Sequence, residues 1–209
     1  MQQVQNLKNE SNKTIKKDEK QPEGWTKGGV FNLNLSQGAS RNWAAGAEKS
    51  SFSLNAIVNA FGYYKKGKNV WDNVLNAQYG IVSATSLNGT RKNDDRLDLL
   101  TKYGYQLKNP KLYATVIGNL RTQFTDGFNY STTGKEKNSA LFAPAYLLVS
   151  PGLMYKPNAT FDVFVSPITS RWVIINNSNK NLRKSFGFAD TTKTAVNEIG
   201  AFLTANLKK

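Results

Sequence analysis

The chain has 209 residues and carries 28 basic against 14 acidic residues, a formal charge of +14. It contains no cysteine and no histidine, which removes disulfides, thiolate metal sites, cysteine nucleophiles and the commonest general base and metal ligand. No apolar run reaches the roughly 18 residues of a transmembrane helix; the longest, "ALFAPAYLLV", contains a proline.

Residues 1–24 are rich in Lys, Asn and Gln and are expected to form a disordered polar tail. They do not read as a signal peptide. The remainder, 25–209, is expected to be one β domain, because from Trp25 onward the hydrophobic period is two. "FNLNLSQ" alternates Phe31, Leu33 and Leu35 with Asn32, Asn34 and Ser36. "SFSLNAIVN" sets Phe52, Leu54, Ala56 and Val58 against Ser53, Asn55 and Asn59. "WDNVLNAQYGI" sets Trp71, Leu75, Ala77, Tyr79 and Ile81 against Asp72, Asn76, Gln78 and Gly80. "LDLLTKYGYQ" sets Leu97, Leu99, Thr101, Tyr103 and Tyr105 against Asp98, Lys102, Gly104 and Gln106. "LYATVIGNLRTQF" sets Leu112, Ala114, Val116, Leu120 and Phe124 against Thr115, Asn119, Arg121 and Gln123. "AYLLVSPGLMYK", "FDVFVSPITSRWVII" and "AVNEIGAFLTANL" add three less regular segments, giving at least eight strands.

Most segments have the roughly ten residues of a tilted bilayer-crossing strand, beyond the five or six usual in soluble sheets. "KKGKN", "KNPK" and "KPNAT" are short connections, whereas "SATSLNGTRKNDDR", "TDGFNYSTTGKEKNSALFAP" and "NNSNKNLRKSFGFADTTKT" are long. Short turns at one end and long loops at the other predict an all-β, antiparallel up-and-down transmembrane β-barrel. Leu54, Val58, Leu75, Tyr79, Val116 and Leu120 are then lipid-facing, and the polar set lines the interior. Tyr63, Tyr64, Trp71, Tyr105, Tyr113 and Tyr155 beside the short turns, and Phe124, Phe128, Tyr130 and Phe142 near a long loop, predict two aromatic girdles.

The pieces "GGVFNLNLSQ", "NWAAGAEKS", "YKKGKNVWDN", "RKNDDRLDL", "TKYGY", "FAPAYLL" and "YKPN" occur in order over roughly Gly24 to Ile175. In these pieces the chain resembles an uncharacterised, domain-of-unknown-function family of outer-membrane β-barrel proteins from Bacteroidota. The resemblance implies a bacterial outer-membrane location and a signal peptide in the precursor, and carries no catalytic residues. Such barrels usually end on a strand with a terminal aromatic, whereas this chain ends "FLTANLKK". Further strands are therefore expected beyond it, as in a C-terminally truncated barrel.

Asp72, Asp98, Lys102, Arg121 and Glu198 fall on the interior face and are read as a lumen charge network. Asp94, Asp95 and Asp98 in "RKNDDRLD" have oxygen ligands suited to a hard cation, but Arg91, Lys92 and Arg96 offset their charge and favour an ion-pair cluster. No catalytic, cofactor-binding or metal-binding residues are assigned, and no cofactor is expected. The expected function is a non-enzymatic outer-membrane scaffold or narrow, porin-like channel. Its partner is outer-membrane lipid, with another envelope protein as a further candidate, and the oligomeric state is left open. Two alternatives compete. One is a soluble, lipocalin-like barrel with its apolar residues around a pocket. The other is a basic nucleic-acid binder, for which "FGYYKKGK" is the only suitable stretch and which is not expected.

Overall fold

A computed structural model describes residues 22–40, 49–87, 89–131, 134–158, 160–176 and 180–207. Among the described residues there are ten strands: β1 (Gly24–Ala39), β2 (Ser50–Lys66), β3 (Asn69–Ala84), β4 (Gly89–Gln106), β5 (Leu112–Thr122), β6 (Gly127–Ser131), β7 (Gly134–Ser139), β8 (Ala145–Tyr155), β9 (Phe161–Ile174) and β10 (Ala195–Leu207). A short helix, α1 (Lys180–Ser185), lies between β9 and β10.

Eight strands form one sheet in the order β1-β2-β3-β4-β5-β8-β9-β10, with every neighbouring pair antiparallel. This is the up-and-down arrangement that the alternating segments predict. β6 and β7 form a separate hairpin inserted between β5 and β8. Among the described residues no pairing joins β1 to β10, so they are the two edges of the sheet.

The strands outrun the expected segments. β4 starts at Gly89 rather than Leu97, so the "RKNDDR" stretch assigned to a loop belongs to a strand. It pairs with β3 through Val82–Arg91, Gly80–Asp94 and Tyr79–Asp95, with a register shift beside Gly80. The inter-strand ladder uses backbone groups alone, so charged side chains continue it wherever water or counter-charges receive them. β1 likewise starts at Gly24, the last residue assigned to the tail. Residues 1–21 of that tail lie outside the described residues.

In the meander, alternate connections share an end. The β2–β3, β4–β5 and β8–β9 turns lie at one end, and the β3–β4, β5–β8 and β9–β10 connections at the other. The β2–β3 turn is two residues, Gly67 and Lys68. Gly67 has φ +53°, a left-handed conformation that glycine takes without a Cβ penalty.

On the second half of β4 and on β5, β8 and β9 one face is buried and the other more exposed, whereas β1 and β10 are exposed along most of both faces. The buried, inner face holds a cluster of Leu100, Tyr113, Ile117, Leu148, Met154 and Phe164, with Val70, Val74 and Phe202 packed against it. Members come from β3, β4, β5, β8, β9 and β10, so side chains of the sheet itself cover that face. The expectation of a polar interior is thus corrected: the inner face is mixed. Inward side chains of a small sheet curled on itself must fill the space between strands. A second apolar cluster lies at the loop end: Ala140, Ala143, Val173, Ile175, Leu182 and Phe188.

Candidate functional site

The outer face is apolar across the sheet. Register places Leu75, Leu99, Leu120, Leu147 and Trp172 in one cross-strand row. A second row runs Trp25, Tyr64, Trp71, Tyr103 and Val116. Leu54, Val58, Leu75, Tyr79, Val116 and Leu120 share this face; Tyr79 and Val116 are exposed, and the other four are half-buried between neighbouring side chains. Leu153, Val165, Leu203 and Leu207 extend the exposed surface towards the β10 edge. Alternation is sharp on β5, where Val116 is 43% exposed and the adjacent Thr115 is 2%.

Aromatic side chains gather on this face at the short-turn end. Trp25 packs against Tyr64 and Trp71 with ring centroids 5.2 and 5.7 Å apart. Trp71 donates to Thr101 Oγ1, and Tyr103 donates to Asn69 Oδ1 at 2.6 Å. Tyr105 and Tyr155 are also exposed here. Two expected girdle members differ. Tyr113 belongs to the inner cluster, and Tyr63, adjacent to outward Tyr64, stacks on Phe61 at 4.8 Å. Proximity to a turn did not fix their face; strand parity did. At the loop end Phe124, Tyr130 and Phe142 are exposed.

The five charges expected in the interior all lie in ion pairs, but one of them, Glu198 on the edge strand β10, is exposed. Lys102 Nζ is 4.0 Å from Asp72 Oδ2. Asp98 Oδ2 accepts from Arg96 at 2.8 Å and Arg121 at 3.2 Å, while Asp98 Oδ1 accepts from Asn119 at 2.7 Å. Glu198 pairs with Arg171 at 2.6 Å. Arg96, read as a loop cation offsetting Asp98, does pair with it, but from strand β4. The sequence reading missed Arg171, because the face of the "FDVFVSPITSRW" strand is irregular where its register with β8 and β10 shifts.

"RKNDDRLD" is an ion-pair cluster at the loop end. Lys92 Nζ donates to Asp95 at 2.8 Å, Gln123 at 3.1 Å and the Thr125 carbonyl at 2.9 Å. Asp95 accepts from the Phe124 and Thr125 backbone N–H groups at 2.7 and 2.9 Å. A polar cavity of about 420 Å³ opens here between β4 and the β6–β7 hairpin, lined by Lys92, Asp94, Asn138 and Phe186 among others. Arg91 covers the Tyr130 ring at 3.9 Å and Lys135 the Phe128 ring at 4.8 Å. Among the described residues no cluster of three or more acidic side chains is placed to hold a metal ion. No described helix is long and apolar enough to cross a membrane, which bears on helices alone.

Residues 35–128 match the model of a family described as "Protein of unknown function (DUF3078)". The match spans the end of β1 through β5 and into β6, and supports kinship with an uncharacterised family. No curated protein and no solved structure matches the chain.

Proposed function

We propose that this chain is the β-sheet wall of an outer-membrane barrel, acting as a non-enzymatic envelope scaffold whose immediate partner is lipid. The observation that carries the reading is the outer face. Leu99, Tyr103, Val116, Leu153, Val165 and Leu203 are exposed on consecutive strands of one sheet. A monomeric protein in water rarely exposes so continuous an apolar surface, whereas hydrocarbon would receive it. A lipocalin-like barrel would turn these side chains inward. In a bilayer the edges β1 and β10 would have to be paired or covered, since unpaired backbone groups are costly in hydrocarbon.

The non-enzymatic part of the proposal rests on how the charged groups are engaged. Asp98 and Lys92 each hold several hydrogen-bond partners, which suits structural posts better than a poised acid or base.

The test is refolding from urea into phosphatidylcholine vesicles, followed by protease digestion and circular dichroism. Protection of the eight-stranded core in vesicles is the expected result. A folded, monomeric protein in detergent-free buffer would overturn the proposal.

A further inference from the structure

At the loop end Lys92 pairs with Asp95, Lys137 pairs with Asp126 at 2.6 Å, and Arg91 and Lys135 cover the Tyr130 and Phe128 rings. At the short-turn end Lys102 pairs with Asp72 on the inner face and Lys27 lies over the Trp25 ring. Lys66, Lys68, Lys108 and Lys111 lie in or beside the β2–β3 and β4–β5 turns, where "KKGKN" and "LKNPK" contain no acidic residue. Lys66, Lys68, Lys108 and Lys111 are exposed. Glu23, an acidic side chain nearby, accepts from the Gly67 backbone N–H at 3.1 Å. The lysines also sit directly beyond the aromatic band. Tyr64 lies two residues before Lys66, on the same side of the strand, and Tyr105 lies three residues before Lys108.

Trp and Tyr settle at the headgroup level of a bilayer. A lysine next to them can lay its alkyl stem along the interface and carry its ammonium to the phosphate layer. We propose that this lysine collar binds the phosphates of anionic phospholipid headgroups in the leaflet at the short-turn end. The inference rests on the membrane reading above. Each lysine near an anionic surface strengthens attraction by roughly fivefold at low salt. A collar drawn from two turns selects lipid charge rather than one lipid molecule, because its ammonium groups are point charges without a fixed fork.

The test uses the full chain inserted into phosphatidylcholine vesicles doped with acyl-brominated phosphatidylglycerol or acyl-brominated phosphatidylcholine. Quenching of tryptophan fluorescence reports lipid contact, and Trp25 and Trp71 stand at the relevant end. The expected result is a binding ratio for phosphatidylglycerol over phosphatidylcholine of about three to five in low salt, falling towards one near roughly 0.5 M salt. The combined variant Lys66→Gln, Lys68→Gln, Lys108→Gln, Lys111→Gln should bring the ratio close to one. The same four positions changed to Arg should keep it. A ratio of one in the unmodified protein, quenched by both lipids, overturns the collar and leaves the membrane reading standing. So does a ratio that the Gln variant retains. Absence of quenching by either lipid, without protease protection, overturns the membrane reading and the collar with it.

Discussion

Trp71 donates its indole N–H to Thr101 Oγ1 at 2.7 Å across the β3–β4 pair, and Thr101 passes its own hydroxyl hydrogen to Asn73 Oδ1 at 2.8 Å. Asn73 in turn donates to the Gly62 carbonyl at 3.3 Å. The chain satisfies polar groups on an otherwise apolar outer face. Thr101→Val keeps the side-chain shape but leaves the indole N–H and the Asn73 carbonyl without this partner. The expected loss is about 1–3 kcal/mol, measured as reversible urea unfolding from vesicles. Thr101→Ser should restore most of it.

Val116 and Thr115 are neighbours that meet different surroundings. Val116→Arg puts a cation on the outer face and should destabilise the inserted protein by about 2–4 kcal/mol if it lies near the bilayer midplane. Thr115 does not face a wet interior: its buried hydroxyl oxygen has no hydrogen-bond partner. Thr115→Val should therefore be neutral or stabilising by up to about 1 kcal/mol. Vesicle unfolding of both variants checks the pair, and a marked loss for Thr115→Val would contradict the structure.

Asp98 binds Arg96, Arg121 and Asn119 at once. Asp98→Ala leaves the half-buried Arg121 without its carboxylate and Asn119 without its acceptor, and should cost about 2–3 kcal/mol. Adding Arg121→Met removes the orphaned charge, so the double variant should be more stable than Asp98→Ala alone. A double-mutant cycle in vesicles measures the coupling.

Asp95 ties the start of the long β5–β8 connection to β4. Its two carboxylate oxygens accept the Phe124 and Thr125 backbone N–H groups at 2.7 and 2.9 Å. Asp95→Asn keeps the shape but removes the Lys92 ion pair and one of the two acceptor oxygens. Amide exchange of Phe124 and Thr125 should then speed up by roughly fivefold or more. Unchanged exchange at both amides would contradict this anchor.

The sheet was legible because two-residue alternation is a property of the chain itself. Leu97, Leu99, Tyr103 and Tyr105 announce one face of β4 whatever they pack against. The bounds were less legible, because Gly89–Arg96 is polar on both sides and reads as a loop until β3 is laid beside it. Interior chemistry was least legible. Leu100 and Ile117 interrupt the polar face and look like local irregularities, but Met154 and Phe164, distant in sequence, join them in one cluster. Lys102 and Arg121 were assigned to the interior by parity, whereas their carboxylate partners follow from cross-strand register. Arg171 needed the bulged β9–β10 register before its pairing with Glu198 could be seen.

The apolar inner cluster has a consequence for permeation. In the proposed barrel, an ion entering from the loop end would first meet Asp98, Arg96 and Arg121, whose charges can stand in for part of its hydration shell. Further on it would reach Leu100, Ile117, Leu148, Met154 and Phe164, packed at 0–6% exposure. That stretch is close-packed, with Thr115, Ser150 and Ser166 buried around it and Lys102 paired with Ile117, so it forms a packed barrier that leaves little room for a hydrated ion. The assembled wall should be electrically silent in a planar bilayer, with a blind polar vestibule on one side only. Leu148→Ser together with Phe164→Ser, which wets the barrier without adding charge, is the change expected to let current through.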